Sequence, residues 1–188
     1  MTKTLLATAL LAAAGFAQAQ SATYSIDPTH TFVTFEAKHF GTSTLRGRFD
    51  RKEGTVQFDR AGKSGKAQIA IDMASVSTGV GPLDGHLKSK DFFDAAANPS
   101  ATFVADKFVF DGDKVTEVAG SQTLLVKSNP VTLKASNFNC YQSPMLKREV
   151  CGGDFETTIA RSQWGMAYGL PGIPDNIRLL IQIEAIKQ

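Results

Sequence analysis

Three histidines, His30, His39 and His86, are the side chains best suited here to proton transfer or metal binding, and two of them flank the apolar run DPTHTFVTFEAKHFG. Their spacing limits what they can do together. An extended strand rises about 3.3 Å per residue, so His30 and His39 would stand roughly 30 Å apart and, at an odd separation, on opposite faces. His86 lies in GPLDGHLKSKDFF, and no His-x-His, His-Glu-x-x-His or Cys-x-x-Cys spacing accompanies any of the three. That argues against a metal centre. Serine hydrolysis lacks a Gly-x-Ser-x-Gly elbow, and the carboxylates are scattered over strand faces and turns, which makes no glycosidase pair.

Two other constellations could do chemistry. Arg46 and Arg48, in LRGRF, alternate with Leu45, Gly47 and Phe49 and therefore share one face of a strand. They either make an exposed sheet edge soluble or clamp an anion such as a phosphate head group. Cys140 and Cys151 are the only cysteines and bracket the polar loop YQSPMLKREV. The spacing does not suit a redox pair, whereas a disulfide closing a loop of this length would stabilise the fold by roughly 3 kcal/mol.

A disulfide requires an oxidising compartment, and the N-terminus points to one. MTKTLLATALLAAAGFAQAQS has one lysine, an apolar run from Leu5 to Phe16 and the small-x-small triplet Ala17-Gln18-Ala19, the pattern of a cleavable leader over residues 1–19. The mature domain would then span 20–188, in the bacterial periplasm. No cysteine follows the cleavage site to carry a lipid, and no later segment reaches the ~20 apolar residues of a spanning helix, so no permanent membrane anchor is expected. Loss of Lys3 leaves 19 basic against 18 acidic residues, which gives no electrostatic case for nucleic acid.

The elements that must position these groups are mostly strands. Alternation places Val33, Phe35 and Ala37 on one face of Thr31–His39, and Ile69, Ile71 and Met73 on one face of Ala67–Met73. The aromatic stretch Thr102–Phe110 runs through the Asp111-Gly112-Asp113 turn into a strand at Val115 and Val118. Further strands are expected at Ser121–Lys127, Val131–Phe138, Phe155–Arg161 and Asn176–Ile186, the last with Ile177, Leu179, Ile181, Ile183 and Ala185 on one side. Only Gly81–Phe93 reads as helical, with Pro82 at its first turn and Leu83, His86 and Leu87 at i, i+3 and i+4. Eight or nine short strands with hairpin-like connections argue an antiparallel barrel or sandwich. An eight-stranded barrel either holds one small ligand or fills itself with side chains. Thirteen phenylalanines against three tyrosines and one tryptophan imply an apolar interior of either kind.

The segments IDPTHTFVTFEAKHFGTSTLRGRF, IDMASVSTGVGPLDGHLKSKDFFDAAANPSATF, NPVTL and ARSQWGM, in that order, make the chain from about Tyr24 to Ile186 resemble the YceI-like family of periplasmic lipid-binding proteins. The resemblance implies an extended, lipocalin-like antiparallel barrel of eight strands with one short helix, Leu83–Ser89, near its opening. It further implies an interior that holds a long isoprenoid-like or fatty amphiphile of the polyprenyl phosphate or quinone class. No cofactor, metal or catalytic residue is implied, and dimers are known in the family, so a homodimer is among the expectations. Gln163 stands where the family often has an acid. Combined with the alternation, the expected ligand-binding lining is Val33, Phe35, Ile69, Ile71, Phe103, Leu133, Ile159, Leu179 and Ile181, with Leu87, Phe92 and Phe93 closing the helix side. Arg46 and Arg48 are the expected head-group anchor. The competing reading is a lipid-modifying enzyme with a histidine and a carboxylate at the barrel mouth.

Overall fold

Alternation of apolar and polar residues becomes the inside and outside of a closed sheet. The computed structural model describes residues 21–188; the leader expected at 1–19 lies outside them. In chain order the strands are β1 Ala22–Ile26, β2 Phe32–His39, β3 Ser43–Phe49, β4 Lys52–Asp59, β5 Ser64–Asp72, β6 Val76–Ser77, β7 Ser100–Asp111, β8 Lys114–Leu124, β9 Lys127–Gln142, β10 Glu149–Ala160 and β11 Asn176–Lys187. One helix, α1, spans Gly81–Leu87, with Pro82 in its first turn. The ring runs β1-β4-β5-β7-β8-β9-β10-β11, and β11 returns to β1, so eight antiparallel strands close into a barrel.

Two of the barrel's staves are broken. β1 pairs with the C-terminal part of β11 and β2 with its N-terminal part. In the same way β4 pairs with β1, and β3 with β2. At the first break the carbonyl of Glu184 accepts from the Asp27 amide at 2.8 Å and from Thr31 Oγ1 at 3.2 Å, so no ladder acceptor is orphaned. At the second, Asp50 and Arg51 donate their amides to the carbonyl and the hydroxyl of Ser75. Beyond this break β3 finds only the two-residue β6, and α1 with the segment after it covers the gap. Phe93 packs there on Phe49, centroids 5.4 Å apart, and on Phe35 at 6.5 Å.

Several expectations are revised. The strand placed over Thr31–His39 begins at Phe32, and His30 sits in the turn of the first break rather than at a strand end. The strands expected around Val115 and over Ser121–Lys127 are one strand, β8, which ends at Leu124 and turns through Leu125 and Val126. β9 starts earlier than expected and so contains Pro130, a position paired on one side only, where a missing amide costs nothing. β10 starts at Glu149, and Cys140 and Cys151, directly opposite one another on β9 and β10, form a disulfide.

Asp27 and His30 staple the first break. His30 Nδ1 lies 2.8 Å from Asp27 Oδ2, and the Thr29 amide and hydroxyl both donate to Oδ1. Burial pushes the Asp27 carboxyl up, but the contacts with His30 and Thr29 outweigh it and bring its pKa down to about 2. The Asp27 carboxylate in turn raises the His30 pKa above its ordinary 6.5. A raised histidine pKa contributes stability that is complete below the unfolded value and is lost as pH rises through the folded one. Chemical unfolding should therefore find His30→Gln less stable than the unaltered protein near about pH 5, with the difference closing above about pH 8. A difference independent of pH would contradict this role.

Candidate functional site

The interior of the barrel is not filled. A cavity of about 530 Å³ runs through it, bordered almost wholly by aliphatic and aromatic side chains. Antiparallel order puts the connections 40–42, 73–99, 125–126 and 161–175 at one end and 60–63, 112–113 and 143–148 at the other. At the second end Phe58 packs between Phe110 and Phe138, with centroids at 5.9 and 5.7 Å, and against Tyr24 at 6.2 Å. The Tyr24 hydroxyl donates to Glu149 at 2.6 Å, and burial together with that carboxylate pushes its pKa up. These rings fill the far end. At the α1 end the bordering residues include Lys38 and His39, which are exposed, and His86, which is partly so, and there the cavity meets solvent.

Glycines opposite large side chains keep the lumen open. Gly47 faces Phe35 across β2 and β3, and a Cβ added there would lie 2.3 Å from Phe35 Cζ. Gly65 does the same beneath Phe108, whose ring carbons would stand 2.7 Å from such a Cβ. Each ring can lie against the wall because its neighbour has no side chain, instead of projecting into the centre.

One charged group is buried at the open end. Arg161, 3% exposed, borders the cavity and donates to four carbonyls: Nε to Pro174, Nη1 to Met166, and Nη2 to Tyr168 and Ile173. It thereby shapes the 161–175 connection into a rim. Burial pushes its pKa down, yet a guanidinium stays protonated. Asp175 is engaged by the amide and hydroxyl of Ser162, both at 2.7 Å, which hold its carboxyl below the usual range. Sequence reasoning noted Arg161 only within ARSQWGM. Its signal was an arginine ending an otherwise apolar-facing strand.

All twelve residues expected to line the interior border the cavity. Arg46 and Arg48 do not. They share a face, as alternation requires, but it is the outer one: Arg46 Nε pairs with Glu36 and Arg48 Nε with Asp50, each at 2.7 Å. With their carboxylates already supplied, they stand on the solvated outer wall and not beside the lumen. His30 and His39 are separated by the length of β2, and among the described residues no group of three metal-ligating side chains gathers. His86 and Asp91 do meet, at 2.9 Å.

A closed antiparallel barrel with an apolar lumen, plugged at one end and open beside a short helix at the other, is a lipocalin-like container. Residues 24–185 match the model of the YceI-like domain, and the chain belongs to that family. A UPF0312 protein of Pseudomonas aeruginosa is 34% identical over 99% of this chain and 98% of its own. One from Pectobacterium atrosepticum is 32% identical over the same shares. Among solved structures, the Campylobacter jejuni YCEI protein superimposes with a TM-score of 0.71 at 28% identity, over 80% of this chain and 90% of that one. A polyisoprenoid binding domain from Saccharophagus degradans shares the fold at a TM-score of 0.65 and 16% identity, over 88% of this chain and 98% of that one.

The packing of Phe35 on Gly47 makes a direct test of what keeps the lumen open. Gly47→Ala should fold but force the ring inward, so uptake of a fluorescent fatty-acid analogue should fall severalfold. Undiminished uptake would show that the ring has another place to go.

Proposed function

We propose that this protein is a periplasmic binding protein that holds one isoprenoid-like or fatty amphiphile, of the polyprenyl phosphate or quinone class, with its chain in the barrel. The observation that carries the reading is the cavity of about 530 Å³, a size ordinary for small-molecule sites, in which no carboxylate among the described residues borders the lumen. Burial contributes about 0.8 kcal/mol per methylene, so a dozen chain carbons supply roughly 10 kcal/mol before the cost of ordering a flexible tail. Val33, Phe35, Ile69, Ile71, Phe103, Leu133, Ile159, Leu179 and Ile181 would contact that chain, with Leu87, Phe92 and Phe93 beside α1. The polyisoprenoid binding of a protein with the same fold is consistent with this ligand class. The leader pattern and the Cys140–Cys151 disulfide support an exported, oxidised setting. Whether the role is transport, storage or sensing, the protein's own part is the same: to withdraw a chain from water.

One observation favours a second reading, lipid modification. His86 and Asp91 form a histidine–carboxylate pair at the mouth, and His86 borders the cavity. The ring is also packed edge-on by Phe92 and Tyr168, at 5.0 and 5.1 Å, which accounts for it as part of the rim.

Solvent extraction of the folded protein followed by mass spectrometry should yield a single class of amphiphile. Leu179→Trp, which fills the lumen, should lower the amount recovered by about tenfold while the protein remains folded. No recoverable lipid, and no uptake of added polyprenyl phosphate or quinone, would refute the proposal. His86→Ala should leave the extracted mass unchanged; a shift from one lipid species to another would favour modification.

A further inference from the structure

Tight turns that need a left-handed backbone are normally given to Gly, Asn or Asp, because a side chain branched at Cβ is strained there. At the plugged end the rule is kept or bent only slightly: the left-handed positions are Lys63, Gly112 and Lys147. At the open end Gly41, Gly79, Gly165, Gly169 and Asp94 keep it, but large apolar residues break it at three positions. Phe40 has φ 48°, and the two-residue turn between Leu124 and Lys127 is made by Leu125 at φ 49° and Val126 at φ 59°. Packing repays this strain only in part: Phe40 rests on Gly172 and the His39 ring but is 68% exposed, Leu125 packs partly on the core, and Val126 is 88% exposed. Folding alone would favour Asn-Gly at 125–126 and Asn before Gly41 in the other turn. Strain that the fold does not use is a sign of function.

The same end carries three further exposed apolar residues: Val80, which caps α1, and Tyr168 and Leu170 in the 161–175 connection. With Phe40 and Val126 they come from four connections at the end where Lys38 and His39 border the cavity. Contacts tie parts of this rim together: the Phe40 amide donates to Gly172 at 2.9 Å, and Tyr168 packs on His86. Interspersed are Lys38, Lys88, Lys90 and Lys127, none of which forms an ion pair among the described residues. The acids of this end keep their charge but are held by neighbours: Asp84 accepts from Thr78, Asp94 from Asn98 and Asp175 from Ser162, all three half-buried, and Asp91 contacts His86, whereas Lys38, Lys90 and Lys127 are exposed. Apolar tips ringed by unpaired lysines are complementary to a surface that is negatively charged outside and apolar just beneath.

We infer that the rim of the open end is a docking surface for an anionic lipid bilayer, with Phe40 and Val126 inserted below the head groups and the lysines on the phosphates. Docked so, the mouth of the cavity faces the acyl region and a chain can pass without crossing water. This extends the carrier reading but does not need it, since the surface can bind vesicles whatever the lumen holds. A few shallow apolar insertions plus basic residues near the surface give reversible attachment rather than an anchor. The plugged end has an exposed apolar tip of its own on a single hairpin, Met145 at 90% beside Leu146 at 49%, and Met145 serves as the control.

The test is co-flotation of the full mature chain with vesicles of phosphatidylethanolamine and phosphatidylglycerol, in about a three-to-one ratio, against pure phosphatidylcholine. The unaltered protein should float with the anionic vesicles and release as salt is raised. Val126→Asn and Phe40→Ser should each weaken flotation severalfold and together abolish it, and Met145→Ser should not. Because Asn suits the left-handed turn, Val126→Asn should melt no lower than the unaltered protein, which separates lost docking from lost folding. Extraction of lipid from the same variants reads the lumen separately. Three results would each overturn the inference: no flotation of the unaltered protein, flotation that survives the double substitution, or flotation lost equally with Met145→Ser. A dimer in solution that Val126→Asn dissociates would reassign the rim to a second copy of the chain and overturn it too.

Discussion

The return of β11 to β1 is the constraint on which the rest depends. Only Tyr24, Ser25 and Ile26 pair with Lys187, Ile186 and Ala185, yet those contacts turn an eight-stranded sheet into a closed wall. Closure of the ring removes most of the sheet edges that would otherwise seek partners, and it creates an inside that needs a helix only beside β3. Once the wall is closed, every second side chain faces a volume whose filling is decided locally. Here it is filled at one end by Tyr24, Phe58, Phe110 and Phe138 and left open toward α1.

The broken staves explain how one barrel can have two such different ends. Asp27–Thr31 and Asp50–Arg51 set β2 and β3 off from the ring strands β1 and β4, and beyond β2 the strand β3 meets only the two residues of β6. The wall at that level is completed by α1 and the residues up to Phe93, through aromatic packing instead of ladder hydrogen bonds. Such a segment is easier to displace than a strand, since its loss breaks few backbone hydrogen bonds. Arg161, tied to four carbonyls of the opposing connection, fixes the other lip of the mouth.

Much of this was legible in the residues. The alternation of β11 and β2 placed Leu179, Ile181, Val33 and Phe35 on the inner face, and Pro82 with Leu83 and Leu87 located α1. What failed to show had physical reasons. Leu125 and Val126 carry no turn signal, so the strand expected over Ser121–Lys127 ran through the turn that ends β8, and the hairpin with β9 was missed. His30 read as the start of a strand because nothing in THTFVTF reveals that Glu184, far along the chain, supplies the acceptor that ends β1. Arg46 and Arg48 were correctly placed together, but which face they took depended on Glu36 across the strand pair. Composition alone also left open whether thirteen phenylalanines fill a core or line a cavity. That was decided by pairings such as Gly47 with Phe35, which join residues from different strands.

The central claim is that the lumen, rather than the wall, is where an amphiphile's chain resides. Anomalous scattering from a crystal grown with a fatty acid brominated along its chain tests this most directly. The account predicts bromine peaks inside the barrel, among Ile69, Phe103 and Leu179. Peaks confined to the outer wall, or a lumen occupied by the protein's own side chains with no bromine in it, would contradict the account.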